Sequence, residues 1–489
     1  MERRTMRIGK GIMTPGRIFF LLLATIFPLK AVAEEVPFPV SRYVDAALAG
    51  NPSLEAMRER IRMKENAAIK AGALDDPKLR VGVNSVPVRS PDFREEDMTT
   101  KEIGISQMFP WPGMRKTRTD IVLREKEETE FVLEEMRSML RSEIKMAYAE
   151  LASIRKQIEA VRRSQDVLKD IVGVTQEIYA VGKGSQPDVL RGQVEFGRMR
   201  EMLINLENRE KVLSVRLNTL AALPADRPVP PLEDLPEISL PYGQEDLAGI
   251  YEAERPARKA AQARVRRGDD SIRMAKLAGK PEFDVSFSYM QRDAMPDGTK
   301  RSDMFSSMVM MTLPIWRKEK IEPGIREMEA EKRMAGRELA NLDLETSNLI
   351  GRSLATMKSR REAAILYRTT LIPQAEQSFQ ATVESYRVGK TDFPMLMDAV
   401  VAILSFRREY AAMVGDLHME KARLETAVGR ELDGVAPNLG ENAPRTRRIR
   451  TERDDERRQE AGEPGSRDAR GNRGIDACRT AGDPSGGNG

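Results

Sequence analysis

Two stretches of this chain, about 207 positions apart, carry the same uncommon wording: Tyr179, Val181-Gly182-Lys183 and Pro187 in one, Tyr386, Val388-Gly389-Lys390 and Pro394 in the other. The echo extends outward, with Pro110 before Trp111 answered by Pro314 before Trp316, and Pro77 answered by Pro281. A duplication on this scale makes each half one structural unit, so whatever the first half builds the second builds again.

Each half reads helix, strand, strand, long helix, turn, helix. Residues 41–72 predict a helix of about 32 residues, 114–180 carry helical periodicity without a break, and 189–222 predict a helix of about 34. At 1.5 Å per residue the long helix spans about 100 Å and the last one about 51 Å. The two shorter helices together match the long one. This predicts that the long helix folds back at the 182–187 turn onto the later helix while the earlier helix continues the same line, a two-stranded coiled coil with one ladder interrupted. The second half repeats the plan with 248–277, 325–387 and 396–432. Leu206, Val212, Leu213, Leu217 and Leu220 recur at threes and fours, as packing against a neighbour requires.

Between the helices lie four strands. Leu79, Val81 and Val83 alternate with Arg80, Gly82 and Asn84, and Phe283, Val285, Phe287 and Tyr289 alternate with Asp284, Ser286 and Ser288. Ile103, Ile105 and Phe109 mark a third, and Phe305, Val309, Met311 and Leu313 a fourth. Each is about 9 to 11 residues long with one apolar and one polar face, as a membrane barrel strand needs. A soluble sheet with one wet face is the competing reading. Two hairpins cannot close a barrel, for which about eight strands is the practical minimum. Open edges are not tolerated in a bilayer, so closure requires several copies of the chain. Tyr289, Phe109, Trp111 and Trp316 fall at strand ends, where aromatic side chains favour the bilayer interface. The polar segments 89–100 and 291–302 read as hairpin loops on the side away from the helices.

Arg3, Arg4, Arg7, Lys10 and Arg17 precede an apolar run over 18–29, and Ala31-Val32-Ala33 supplies the small residues of a cleavage site. That run is about 12 residues, short of the roughly 20 that a spanning helix needs. Removing residues 1–33 changes the formal charge of +4 to about −1, so the basic balance says nothing about nucleic acid. After Gly434 the chain holds 11 Arg and 10 acids, a balance that argues against a nucleic-acid arm, and the branched apolar residues after Gly440 are too few to bury a core. The expected partition is a signal peptide over 1–33, a first repeat over 34–225, a Pro-rich linker over 226–243, a second repeat over 244–433 and a disordered charged tail over 434–489.

The residues that suggest chemistry mostly withdraw it. Gly389-Lys390-Thr391 ends like a phosphate loop, but the glycine required at 384 is Glu384 and no strand precedes it. His418, the sole histidine, lies between Leu417 and Met419 on a helix and reads as structural. Cys478, the sole cysteine, has no partner for an internal disulfide. No His, Cys or carboxylate cluster has metal-site spacing, no nucleophile, base and orienter set is visible, and no cofactor or enzyme activity is expected. The 27 methionines include Met304, Met308, Met310 and Met311 in one strand and Met395 and Met397 near a tip. Thioethers are soft ligands for Cu(I) or Ag(I), and they also fill irregular packing.

At this point the chain resembles the TolC family of outer-membrane efflux channels. The duplicated plan covers about residues 41–432, the paired tips 179–190 and 386–398 carry the specific likeness, and the strand exit Gln107-Met108-Phe109-Pro110-Trp111-Pro112-Gly113 is similar to that of the heavy-metal branch related to CzcC and CusC. The resemblance implies a homotrimer, a barrel of about twelve strands in the outer-membrane lipid and a long α-helical barrel in the periplasm. It also implies a periplasmic adaptor, or membrane fusion protein, and an inner-membrane pump of the RND type. By that resemblance Val181, Gly182, Lys183, Val388, Gly389 and Lys390 form the turns that meet adaptor hairpins. Acidic residues just after the second turn can ring the closed tunnel end. Asp398 matches one such position while the preceding one is Met395, and Asp188 holds the early position in the first repeat. Helix capping by Asp188 or Asp398 is the bland alternative. The expected function is passive export of small molecules or heavy-metal cations, the alternative a periplasmic coiled-coil adaptor or structural protein.

Overall fold

The structure is a computed structural model that describes residues 38–182 and 184–432. The expected signal peptide, the charged tail and Lys183 lie outside the described residues. The first half runs α1 (Val40–Gly50), α2 (Pro52–Gly72), β1 (Lys78–Asn84), β2 (Thr100–Phe109), α3 (Met114–Ala180) and α4 (Gln186–Leu220). The second runs α5 (Gln244–Glu254), α6 (Pro256–Leu277), β3 (Phe283–Gln291), β4 (Met304–Met311), α7 (Glu322–Leu366), α8 (Ile372–Arg387) and α9 (Phe393–Val428).

The single opening helix expected of each half is two helices, and proline is the reason. Pro52 has no N–H to donate and starts α2, while Asn51 turns extended and its side chain accepts from the Ser53 amide at 2.8 Å. The second half breaks the same way, with Arg255 extended and Pro256 opening α6. α3 runs unbroken for 67 residues as expected, about 100 Å. The helix expected over 325–387 is continuous but begins earlier, from a one-turn π segment at Arg317–Ile321 that leads into α7, and carries a second π segment at Tyr367–Leu371 between α7 and α8. Each precedes a proline, Pro323 or Pro373, at the start of the next helix. The wider turn makes room for a ring that would clash with the carbonyl four residues back.

α3 packs against α2 and α4 of its own half and against α6 and α9 of the other. The lengths of α1, α2 and α4 together equal that of α3, so both sides of the long helix are served. The main core threads Tyr43, Leu54, Ile144, Leu151, Leu168, Leu206, Leu213 and Leu217 and continues into Leu396 and Val400 of α9. Burying one such side chain contributes about 1.5–3 kcal/mol. Val212, read as part of the α4 seam, instead faces away and is exposed. α9 approaches α3 closely because Gly415 has no side chain. A Cβ there would stand 2.7 Å from Ser153 Cβ, and the Ser153 hydroxyl donates to Ala411 O at 2.9 Å across the same contact.

The four strands form one antiparallel sheet in the order β1-β2-β3-β4 rather than two separate hairpins. β2 of the first half pairs with β3 of the second, with Ile105 opposite Phe287 and Phe109 opposite Phe283. The sheet thereby joins the two repeats. The strands are 7, 10, 9 and 8 residues long, so two fall below the length expected.

The segment between the repeats is pinned by buried polar groups. Tyr148 donates its hydroxyl to Phe38 O at 2.9 Å and accepts from the Glu233 amide at 2.8 Å; burial pushes its pKa to about 12. Tyr410 donates to the buried Glu237 carboxylate at 2.8 Å, and burial pushes it to about 12 as well. His418 Nε2 lies 2.8 Å from Pro236 O, and burial holds the imidazole below its ordinary value of 6.5.

The His418 shift fixes the sign of a pH effect. The folded chain keeps a neutral imidazole where the unfolded chain takes a proton, so this contribution is complete above 6.5 and is lost as pH falls below it. Thermal unfolding of the purified protein should shift to lower temperature between about pH 7.5 and about pH 5.5. His418→Gln should remove that part of the shift, and an unchanged pH dependence in the variant would contradict it.

Candidate functional site

Two regions carry the residues singled out in the sequence: the helix turns at the end of each repeat, and the sheet. At the first turn α3 ends on Val181, and Gly182 follows with φ +73° and donates to Tyr179 O at 2.9 Å. At the second, Gly389 has φ +71°, donates to Tyr386 O at 3.0 Å, and is followed by Lys390 donating to Ser385 O at 2.9 Å. Such left-handed positions let a helix end without a Cβ clash, which is why glycine recurs there. Pro187 and Pro394 then open α4 and α9. Val181, Gly182, Val388, Gly389 and Lys390 are all exposed.

The tips are joined through Phe393 and Gly192, which the sequence did not mark, and through Tyr386, which it did. Phe393, the first residue of α9, is 1% exposed although it sits beside a surface turn. Its ring meets Tyr386 edge-on at 6.0 Å and reaches across to α4, where Gly192 leaves it room. A Cβ on Gly192 would stand 2.7 Å from Val172 Cγ2 and 3.1 Å from Phe393 Cζ. The Tyr386 hydroxyl lies 3.4 Å from Thr175 Oγ1 on α3. A glycine inside a helix was the one available signal, and nothing in the sequence paired it with a phenylalanine in the other half.

Capping falls to other residues than the two candidate acids. Asp392 caps α9 by accepting from the Met395 amide at 3.2 Å, and Ser185 holds the capping position of α4. Asp188 is half-buried in the first turn of α4, where a carboxylate suits the positive end of the helix dipole. Asp398 is exposed farther along α9. Neither side chain makes a hydrogen bond or ion pair with any described residue.

The sheet divides largely by parity, with Lys101, Gln107, Gln291 and Ser307 the polar residues on the otherwise apolar face. On one face lie Leu79, Val81, Ile103, Ile105, Phe287, Tyr289, Phe305 and Val309, all exposed, with Phe305 at 71% and Val81 at 73%. Phe287 and Phe305 stack at 6.1 Å on this face. On the other face Arg80 and Asn84 meet Glu102, whose carboxylate accepts from Asn84 Nδ2 at 2.7 Å, beside Ser106, Ser286 and Ser288. An apolar patch of this size does not stay in water. At the helix-proximal end Trp111 stacks on Phe283 at 6.3 Å with Lys280 Nζ 5.7 Å above its ring, and Trp316 is exposed. Aromatic rings with a cation alongside match the boundary between hydrocarbon and water. Among the described residues no helix is long and apolar enough to cross a membrane, and no group of His, Cys, Asp and Glu is placed to hold a metal ion.

The family profile described as outer membrane efflux protein matches residues 43–223 and 248–430. The cobalt-zinc-cadmium resistance protein CzcC of Cupriavidus metallidurans is 21% identical over 426 residues, covering 83% of this chain and 93% of that protein. The outer membrane protein VceC of Vibrio cholerae superposes with a TM-score of 0.68 at 17% identity, over 81% of this chain and 97% of that one. CusC, solved in structures that follow folding and transmembrane channel formation, superposes with a TM-score of 0.68 at 14% identity, over 80% and 92%.

If Phe393 and Gly192 lock the tips together, Gly192→Val should cost about 1–3 kcal/mol by overpacking. Hydrogen exchange should quicken at the α8–α9 junction and leave the sheet unchanged; uniform quickening, or none, would contradict this assignment.

Proposed function

The chain belongs to the outer membrane efflux protein family, and from that premise we propose that it is the outer-membrane channel of a tripartite efflux system. Three copies would each contribute a 4-stranded sheet to one closed barrel, and their long helices would continue the conduit into the periplasm. One observation carries this reading: a sheet whose exposed face is apolar has two free edges, β1 and β4. In hydrocarbon every edge amide and carbonyl needs a partner, so β4 of one copy must pair with β1 of the next. Three sheets give about twelve strands, above the roughly eight that closure requires.

The work of such a channel is passive. Binding of a periplasmic adaptor at Val181, Gly182, Lys183, Val388, Gly389 and Lys390 opens the tips, and an inner-membrane RND-type pump supplies the driving force. The exposed turns, each ended by a left-handed glycine, support this reading because they present backbone rather than bulk to a partner hairpin. Asp188 and Asp398 line the constriction in the closed state, where unpaired carboxylates attract cations. The likeness to a cobalt-zinc-cadmium resistance protein supports divalent metal cations as cargo. Export through a cleaved signal peptide delivers the chain to the outer membrane.

The purified protein should form trimers that insert into planar bilayers and conduct ions; a detergent-independent monomer without conductance would end the channel reading. Gly182→Val together with Gly389→Val should impair pump-dependent export far more than trimer yield, because a β-branched residue strains the left-handed turn. Equal loss of both would contradict tip docking. Asp398→Asn should relieve block of the single-channel current by divalent cations, and an unchanged block would remove this residue from the constriction.

A further inference from the structure

The water-facing side of the sheet holds methionines where a polar lining would be ordinary. β-Register places Met108 opposite Asp284 and Asp284 opposite Met310, so the three side chains form one row across three strands. Met308 lies one step along the same face of β4, opposite Ser286. Directly opposed side chains have Cβ atoms about 4.5–5.5 Å apart, so Met108 and Met310 each adjoin Asp284 and stand about twice that far from one another, a gap that two long, flexible thioethers can close over one ion above Asp284. Toward the loops Met290 lies opposite Met304 on the same face, a pair without a third thioether or an aspartate between its members.

Packing does not account for them. Among the described residues no helix packs on either face of the sheet; Met308 and Met310 are 57% and 60% exposed, and Met108 is half-buried. They share their face with Arg80, Glu102 and the serines of β3, away from the Phe287 and Phe305 side that suits lipid. An exposed thioether on an aqueous wall gains nothing from the hydrophobic effect. What it offers instead is a soft, uncharged sulfur ligand. Asp284 supplies a negative charge in the middle of the row and makes no hydrogen bond or ion pair with any described residue.

We propose that Met108, Met308 and Met310, with Asp284 between them, form a binding site for thiophilic monovalent cations of the Cu(I) and Ag(I) class. Its position on the wall of a pore rests on the channel reading above; the site itself does not. Sulfur ligation selects such ions over Co(II) and Zn(II), which prefer nitrogen and oxygen donors when thiolate is absent.

The test uses the purified full-length protein in detergent, carrying Cys478→Ser to remove the one thiol. Ag(I) is titrated in, and X-ray absorption at the silver edge reads the number of sulfur neighbours. The expected result is one tight Ag(I) per chain with sulfur in its first shell, and no comparable uptake of Co(II). The volume-conserving triple variant Met108→Leu, Met308→Leu, Met310→Leu should bind at least about tenfold more weakly, and Asp284→Asn should also weaken binding by about tenfold. Met311→Leu, on the opposite face, should bind as the parent does. Parental affinity in the triple variant, or equal loss in Met311→Leu, would overturn the proposal. Bilayer conductance of the same samples separates the two readings: a parent that conducts but binds no silver defeats the site alone, and one that binds silver without conducting defeats the channel alone.

Discussion

A helix of 67 residues persists in water only while its apolar seam is covered, and the covering of α3 organises the rest of the chain. No single partner can match it and still leave room for a sheet, so α1 and α2 take one stretch, α4 the other, and α6 and α9 complete the ring of neighbours. The demand falls hardest on α9, which touches α3 along much of its length. Small side chains meet there. Ser142 donates to Ala422 O at 2.9 Å, Ser153 donates to Ala411 O, and Gly415 lets the backbones approach. At the foot of the same contact the Lys145 ammonium meets the buried Glu425 carboxylate at 2.7 Å, and Glu425 also accepts from the Leu432 amide at 3.1 Å. A buried carboxylate so placed needs its partners, because desolvation without them would cost several kcal/mol.

The repeat itself was legible because helical and strand periods are local properties. The limits of α3, the four strands and the two left-handed turns follow from residues within a few positions of one another. The breaks before Pro52 and Pro256 are equally local, yet periodicity alone runs straight across them, since an apolar stripe resumes on the same face. The π segments before Pro323 and Pro373 are less accessible, because a proline can break, kink or widen a helix and only the packing around it decides which. Pairing across the duplication was not legible at all. That β2 would join β3, or that Phe393 would fill the space left by Gly192, depends on how two halves dock, and each half alone is indifferent to it.

The two turns also separate what a duplication must keep from what it is free to lose. Gly182 and Gly389 both stand at positive φ, a requirement of the backbone that other residues meet only with strain. Three residues into the following helices the copies diverge, with Asp188 at a position that Met395 holds in the second repeat and Arg191 where Asp398 stands. Arg191, Met395 and Asp398 are exposed and Asp188 is half-buried without a described partner, so chain reversal places no demand on their charge. Charge at the tips is thus the part of the design that can answer to a partner or a passing ion, and geometry is the part that cannot.

The same division holds in the sheet, where one alternation serves two solvents. Phe287, Tyr289 and Phe305 can face hydrocarbon only because Ser286, Ser288 and Met304 face the other way, and a slip of one residue would exchange every side chain on the strand. Register is therefore held by the lipid-facing set, for which the cost of error is large. The water-facing set is left chemically open. On such a wall a serine, a methionine or an aspartate folds equally well, so the row formed by Met108, Asp284 and Met310 cannot be explained by folding and must be judged by what it binds.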